Sequence, residues 1–202
     1  MTLGTSEVVS WKSSDGAVIE GVLRKPAGFR PGTPAPLLVI IHGGPTGVSR
    51  PTLFGATYVQ GGYISAFLTT HDSARFRAVS VGAGISNWVT YYVSTDIHPF
   101  TRQYLKATPW DDPEVYRKTS PMTYIKGGSA PTLIQHGDAD LRVPVSNALE
   151  LYQGLRDQGV TTRLALYRGF GHGLNKPKAV RHALQENLDW FDAHLFGAAN
   201  GN

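Results

Sequence analysis

The chain has 202 residues, 41% of them apolar and none of them cysteine, with a formal charge of +4 at pH 7. Its size and apolar share predict one domain over residues 1–202 with a substantial core, while the missing cysteine excludes disulfides, thiolate metal ligands and a cysteine nucleophile. The 19 Lys and Arg form no basic run along which a phosphate backbone could lie, no apolar stretch approaches the roughly 20 residues that cross a bilayer, and Met1 to Glu7 lack a secretory pattern, so a soluble, cytoplasmic protein without nucleic-acid or membrane partners is expected.

Two β-rich stretches, Glu7 to Lys12 and Ala17 to Lys25, flank Ser13-Ser14-Asp15-Gly16, whose Asp-Gly ending predicts a tight turn and an antiparallel hairpin. After the Pro- and Gly-rich connection from Pro26 to Pro36, Leu37-Leu38-Val39-Ile40-Ile41 is a continuous apolar run, the pattern of a strand covered on both faces. Leu53, Phe54, Thr57, Tyr58, Gly61, Ile64 and Leu68 then fall at helical spacing, so Pro51 to Thr70 predicts one helix. Its weak point is Gly61-Gly62, where each glycine costs a continuous helix roughly 1 kcal/mol. A helix of this length makes a right-handed crossover between the Leu37 strand and the next apolar run, Ala78-Val79-Ser80-Val81, which would become neighbours. The same weak point offers a hinge for a homodimer with segment exchange near Gly61 and Gly62.

Similar runs are Thr132-Leu133-Ile134 and Leu164-Ala165-Leu166-Tyr167. Val145, Ala148, Leu149, Tyr152 and Leu155 predict an amphipathic helix ending at Gly159, and Val180, Ala183, Leu184, Leu188, Phe191 and Leu195 another ending at Gly197. Strands alternating with helices mean an α/β fold: a mostly parallel sheet with helices on both faces, an N-terminal antiparallel hairpin, and functional loops at the carboxyl ends of the strands.

Three segments follow strands directly and carry the chemistry of acyl transfer. In Gly169-Phe170-Gly171-His172-Gly173, a flexible backbone presents His172 as a base, the alternative being an ordinary loop histidine. In His136-Gly137-Asp138-Ala139-Asp140, either Asp140 or Asp138 could accept the imidazole N–H and fix its tautomer, and spacing alone does not separate the two from each other or from helix capping. In His42-Gly43-Gly44, the backbone N–H groups of Gly43 and Gly44 suit a developing oxyanion, or simply a tight turn. Trp88, Tyr91 and Tyr92 form either a substrate-binding aromatic pocket or core packing. A metal-dependent reading of His136, Asp138, Asp140 and His172 has no other support in the chain, so no metal and no cofactor is expected. No Gly-x-Ser-x-Gly, the turn that presents an attacking serine, occurs anywhere.

Together these segments resemble the catalytic α/β-hydrolase domain of the prolyl oligopeptidase family of serine peptidases, and within it the acylaminoacyl-peptidase branch. The likeness runs from Val8-Val9-Ser10-Trp11 through His42-Gly43-Gly44-Pro45, resumes at Gly61-Gly62-Tyr63, and continues through Gly82-Ala83-Gly84-Ile85-Ser86-Asn87-Trp88 and Tyr91-Tyr92 to the last helix. The family's His-Gly-x-x-Asp-x-x-Val-Pro motif falls on His136 to Pro144 and implies that Asp140 is the acid; its Gly-Phe-Gly-His-Gly motif implies that His172 is the base. Gln60-Gly61-Gly62 matches the tail of the family's nucleophile turn, which puts Val59 at the serine position and implies an internal deletion of two strands and the serine itself. Ser65 is then the nearest substitute nucleophile, with Ser86, Ser49 and Thr46 as further candidates, each needing the base within roughly 3 Å. The resemblance implies a truncated serine hydrolase that cleaves small peptide or ester substrates weakly if at all. The alternative is a non-catalytic binding or scaffold protein that keeps the fold.

Overall fold

A computed structural model describes residues 4–44, 47–48 and 61–196. The chain divides into two compact units, Met1–Thr57 and Tyr58–Asn202. In the first, strands β1 (Thr5–Lys12) and β2 (Val18–Lys25) form the expected antiparallel hairpin, with Thr5 opposite Lys25 and Lys12 opposite Val18. The Asp15 carboxylate closes the turn by accepting from the Ser13 hydroxyl and, at 3.1 Å, from the Ala17 N–H.

The apolar run at Leu37 departs from expectation. Residues 37–41 form no strand, and Leu37, Leu38, Val39 and Ile40 are exposed. A strand of this composition needs neighbours to take its N–H and C=O groups and helices to cover both faces, and no strand among the described residues pairs with it.

The second unit is built on a parallel sheet in the order β3 (Val79–Gly82), β4 (Thr132–Gly137), β5 (Thr162–Tyr167). The register puts Val81, Ile134 and Leu164 side by side on one face. There they pack against Ala66 of helix α1 (Gly62–His71) and Ala148, Leu151 and Leu155 of helix α5 (Ser146–Asp157). The opposite face, where Leu133 is flanked by Ser80 and Arg163, makes polar contacts with helix α6 (Pro177–Phe191). Ser80 Oγ donates to Asn187 Oδ1 at 2.6 Å, Gln135 Nε2 donates to the Ala183 carbonyl at 3.3 Å, and Arg163 pairs with Glu186 at 2.7 Å. Helices therefore cover both faces, as the alternation of elements predicts.

Those polar contacts also explain a correction on α6. Ala183, Glu186 and Trp190 are buried, whereas Leu184 and Leu188 of the expected apolar stripe are exposed, because the helix turns toward hydrogen-bonding partners on the sheet. The expected helix over 51–70 is present from Gly62 onward, so the anticipated weak point is where it starts; residues 51–60 lie outside the described residues. Its first turn presses on the loop after β3, where a Cβ on Gly62 would stand 2.2 Å from the Gly82 carbonyl oxygen. The expected pairing of the Leu37 and Ala78 strands is not formed, and β3 pairs with β4 instead.

Helices α2 (Trp88–Ser94), α3 (His98–Leu105) and α4 (Pro113–Thr119) have no counterpart in the sequence reading. They gather a second core of Ile85, Trp88, Tyr91, Tyr116 and Val143. Their starts carried local signals: Asn87 Oδ1 caps α2 through the Val89 N–H at 3.0 Å, and Asp112, followed by Pro113, caps α4 through the Val115 N–H at 3.0 Å. Among the described residues no helix is long and apolar enough to cross a membrane.

Candidate active site

Parallel pairing of β4 and β5 sets their carboxyl ends side by side, so the loop carrying Asp138 and Asp140 meets the loop carrying His172. Asp140 follows a turn in which its N–H reaches back to the Gly137 carbonyl at 3.3 Å, and its side chain is wholly buried. Burial of a carboxylate is tolerable only when its lone pairs are used. Oδ1 accepts the Arg142 and Val143 N–H groups at 2.8 and 3.0 Å, and Oδ2 lies 2.9 Å from His172 Nδ1. A carboxylate can only accept, so Nδ1 carries the proton and Nε2 keeps a lone pair. The His172 side chain is 42% exposed, which leaves it open to a second group.

The competing carboxylate has a different task. Asp138 Oδ1 accepts the Gly169 N–H at 2.6 Å, while its own N–H donates to the Tyr167 carbonyl at 3.2 Å. Asp140, not Asp138, is the partner of His172.

His136 is buried beneath the acid loop. Its Nε2 donates to the Val143 carbonyl at 2.7 Å and stands 3.5 Å from Asp140 Oδ2, whereas Nδ1 has no partner among the described residues. Burial pushes its pKa below the ordinary histidine value, against smaller opposing effects of the Val143 carbonyl and Asp140. Helix α2 secures the same loop from outside. Thr95 Oγ1 donates to the Arg142 carbonyl at 2.8 Å, the Asp96 N–H donates to the Leu141 carbonyl at 3.0 Å, and the Arg142 guanidinium grips the Asp96 carboxylate at 2.9 Å. That guanidinium holds the Asp96 carboxyl below the usual carboxylate range. Thr95 and Asp96 escape sequence reasoning because they are distant in the chain from any motif and act through its backbone.

Other expected residues are placed differently. Ser65 sits inside α1, partly buried, its N–H donating to the Gly61 carbonyl at 2.9 Å and its own carbonyl accepting from Thr69 Oγ1 at 2.8 Å. Among the described residues no hydroxyl hydrogen-bonds to His172. Ser86 is fully buried with Oγ donating to the Asn147 carbonyl at 2.8 Å; Thr46 and Ser49 lie outside the described residues. Gly43 and Gly44 belong to the N-terminal unit, where His42 Nδ1 lies 3.1 Å from the Gly43 carbonyl oxygen.

Two of the three side chains expected in an aromatic pocket, Trp88 and Tyr91, lie in the core. Trp88 and Tyr91 are each only 2% exposed and pack edge to face, with Tyr63 against the other side of Trp88; Tyr92 is half-buried against Tyr116. Rings buried like Trp88 and Tyr91 pack as core. Among the described residues no group of three or more histidines and carboxylates is placed to hold a metal ion.

A sequence model of the prolyl oligopeptidase family matches residues 46–197. The chain is 25% identical to the uncharacterized peptidase YuxL of Bacillus subtilis over 261 aligned positions, covering 96% of the chain and 40% of that protein. The alignment is longer than the chain, so YuxL carries internal residues that have no counterpart here. Acylamino-acid-releasing enzyme 1 of rice, Oryza sativa subsp. japonica, is 32% identical over 151 residues, 68% of this chain and 20% of the enzyme. The chain thus spans less than half the length of either relative. Among solved structures, the Pyrococcus horikoshii acylaminoacyl peptidase superimposes with a TM-score of 0.61 at 32% identity, over 67% of this chain and 23% of that one. A dipeptidyl aminopeptidase IV-type protein of Bacteroides ovatus shares the fold with a TM-score of 0.79 at 16% identity, over 95% of this chain and 36% of that one.

Proposed function

Because the chain belongs to the prolyl oligopeptidase family, we propose that it is a peptidase-type hydrolase whose acid–base pair is Asp140 and His172, with weak action on peptide or ester bonds. The observation that carries this reading is the 2.9 Å bond from His172 Nδ1 to a fully buried Asp140 whose other oxygen is held by two backbone N–H groups. A carboxylate fixed in this way sets the imidazole tautomer and stabilises the imidazolium that forms when Nε2 takes a proton. The proton comes from the attacking hydroxyl as its oxygen bonds to the substrate carbonyl carbon. His172 then returns it to the leaving group as the C–N or C–O bond breaks, and water repeats the sequence to release the acyl group.

Ser65 is the proposed hydroxyl, on its place just after Gly61-Gly62; if it does not attack, water does. Triads deprived of their serine retain only about 10³ to 10⁴ over the uncatalysed reaction. Hydrolysis is therefore expected to be slow and to favour activated esters, whose leaving groups need little protonation, over peptides. The test is reaction of the purified protein with a fluorophosphonate, read by intact mass and peptide mapping, beside ester hydrolysis by the His172→Ala and Ser65→Ala variants. A label on Ser65 and loss of turnover in both variants supports the reading. Turnover that survives His172→Ala sinks it.

A second reading, a binding or scaffold protein without turnover, is favoured by one observation: Ser65 is engaged through its backbone in a helix and its hydroxyl makes no bond to His172. No label and no turnover with the Asp140–His172 pair intact would select it.

A further inference from the structure

We propose that Asp138 is a positioning residue for His172: its carboxylate seats the base loop on the acid loop. Besides the Asp140–His172 bond, further hydrogen bonds join the two loops. The Asp138 N–H donates to the Tyr167 carbonyl at 3.2 Å, the Ala139 N–H donates to the Phe170 carbonyl at 3.0 Å, and Asp138 Oδ1 accepts the Gly169 N–H at 2.6 Å. The first two use backbone alone and join any residues of suitable shape. The third is made by a side chain, and it is shorter than the first two.

Its target explains its importance. Gly169 has φ +72°, in the left-handed region, and this residue turns the chain out of β5 toward His172 three positions later. A residue in that conformation directs its N–H out of the strand ladder, and here the Asp138 carboxylate receives it. An anionic acceptor makes the stronger kind of hydrogen bond. Gly137 completes the fit, since a Cβ there would come within 2.2 Å of the Phe170 oxygen and 2.4 Å of the Gly171 oxygen. The base loop thus lies in contact with the end of β4, fixed at Gly169 and carrying His172 to Asp140. Among the described residues His172 has no other hydrogen bond by which its ring could be located. Where the loop sits decides whether Nδ1 reaches Asp140.

The inference takes its catalytic meaning from the proposed hydrolase, but its test does not need turnover. The ring tautomer of His172, read from long-range ¹⁵N–¹H correlations in the whole chain at neutral pH, reports the pairing directly. In the parent protein the Nδ1–H form should dominate. In Asp138→Ala and Asp138→Leu it should give way to a mixture with the Nε2–H form, and Asp138→Asn, whose amide oxygen can still accept from Gly169, should restore it. Amide shifts of Leu133, Ile134 and Leu151 verify that the core is unchanged in each variant, and Asp138→Leu serves should the Ala variant fail to fold. Where ester hydrolysis is measurable, Asp138→Ala should lower kcat about tenfold to a hundredfold with KM held, the pattern of a misplaced base. An Nδ1–H population in Asp138→Ala and Asp138→Leu equal to the parent's overturns the proposal, as does an Asn variant that behaves like Ala. A tautomer shift in a protein with no hydrolysis would instead retain the positioning role and defeat the hydrolase reading.

Discussion

Two carboxylates two residues apart, Asp138 and Asp140, look equivalent in the sequence and have opposite surroundings in the fold. Asp138 continues directly from β4 and stays exposed beside Gly169; Asp140 lies past a turn that carries its side chain inward to two N–H groups and an imidazole. Replacement of Asp140 by Asn should keep the acceptor for Arg142 and Val143 yet present an N–H group to His172, so stability changes little while any turnover falls by a factor of about 10⁴, as in triads with this change. Asp140→Ala, in contrast, should cost about 1–3 kcal/mol in urea unfolding, because the buried Val143 N–H and the part-buried Arg142 N–H lose their partner. His136 supplies a pH dependence. Its pKa in the folded chain is pushed below the unfolded value of 6.5 by burial. Below that value the unfolded chain binds a proton that the folded chain refuses, so this residue's contribution is fully present above pH 6.5 and is lost as pH falls from there toward the lowered folded value. The urea midpoint should therefore drop between pH 7.5 and 5.5, with a smaller drop in His136→Gln, whose amide can still donate to Val143.

The strands of the parallel sheet were legible because each carries a short apolar stretch that packs beneath helices. Leu37 to Ile41 has the same composition without the neighbours, and composition alone does not make a strand. Helix α1 was legible as a periodic stripe, and its start is set by contact: Gly62 and the loop at Gly84 approach so closely that neither tolerates a side chain, with a Gly84 Cβ only 2.5 Å from the Gly62 oxygen. Gly62→Ala should accordingly destabilise the unit by about 1–3 kcal/mol through overpacking, although alanine is the better helix former, and thermal unfolding would register it. A rise in melting temperature would mean that helix propensity outweighs the contact. Helices α2 to α4 were missed because seven or eight residues give too short a stripe to stand out. Only the caps at Asn87 and Asp112 marked them, and a cap is a local signal that does not say how far the helix runs.

Motifs that follow strands made the meeting of Asp140 and His172 readable in advance, since the sheet itself brings the two together. What held those loops in place was not readable, because Asp138, Thr95 and Asp96 act on partners 31 to 47 residues away. The same distinction between local pattern and distant partner governs the distribution of apolar surface over the second unit. On one face of the sheet Leu151 and Leu155 are buried to 1% or less, whereas on α6 Leu184 and Leu188 remain 48% and 54% exposed and, with Val180, Leu174 and Pro177, line an open groove of about 490 Å³. If burial rather than hydropathy decides stability, Leu151→Ala should cost about 2–5 kcal/mol, the toll of a cavity in a packed core. Replacing Leu184 and Leu188 together by Gln should cost about 0.5 kcal/mol or less, as surface changes do, and should reduce binding of an apolar dye. Urea unfolding and dye fluorescence on the purified variants compare the two directly. A large loss of stability on changing the α6 pair would mean that its apolar stripe is covered in solution, as the helical periodicity alone would have it.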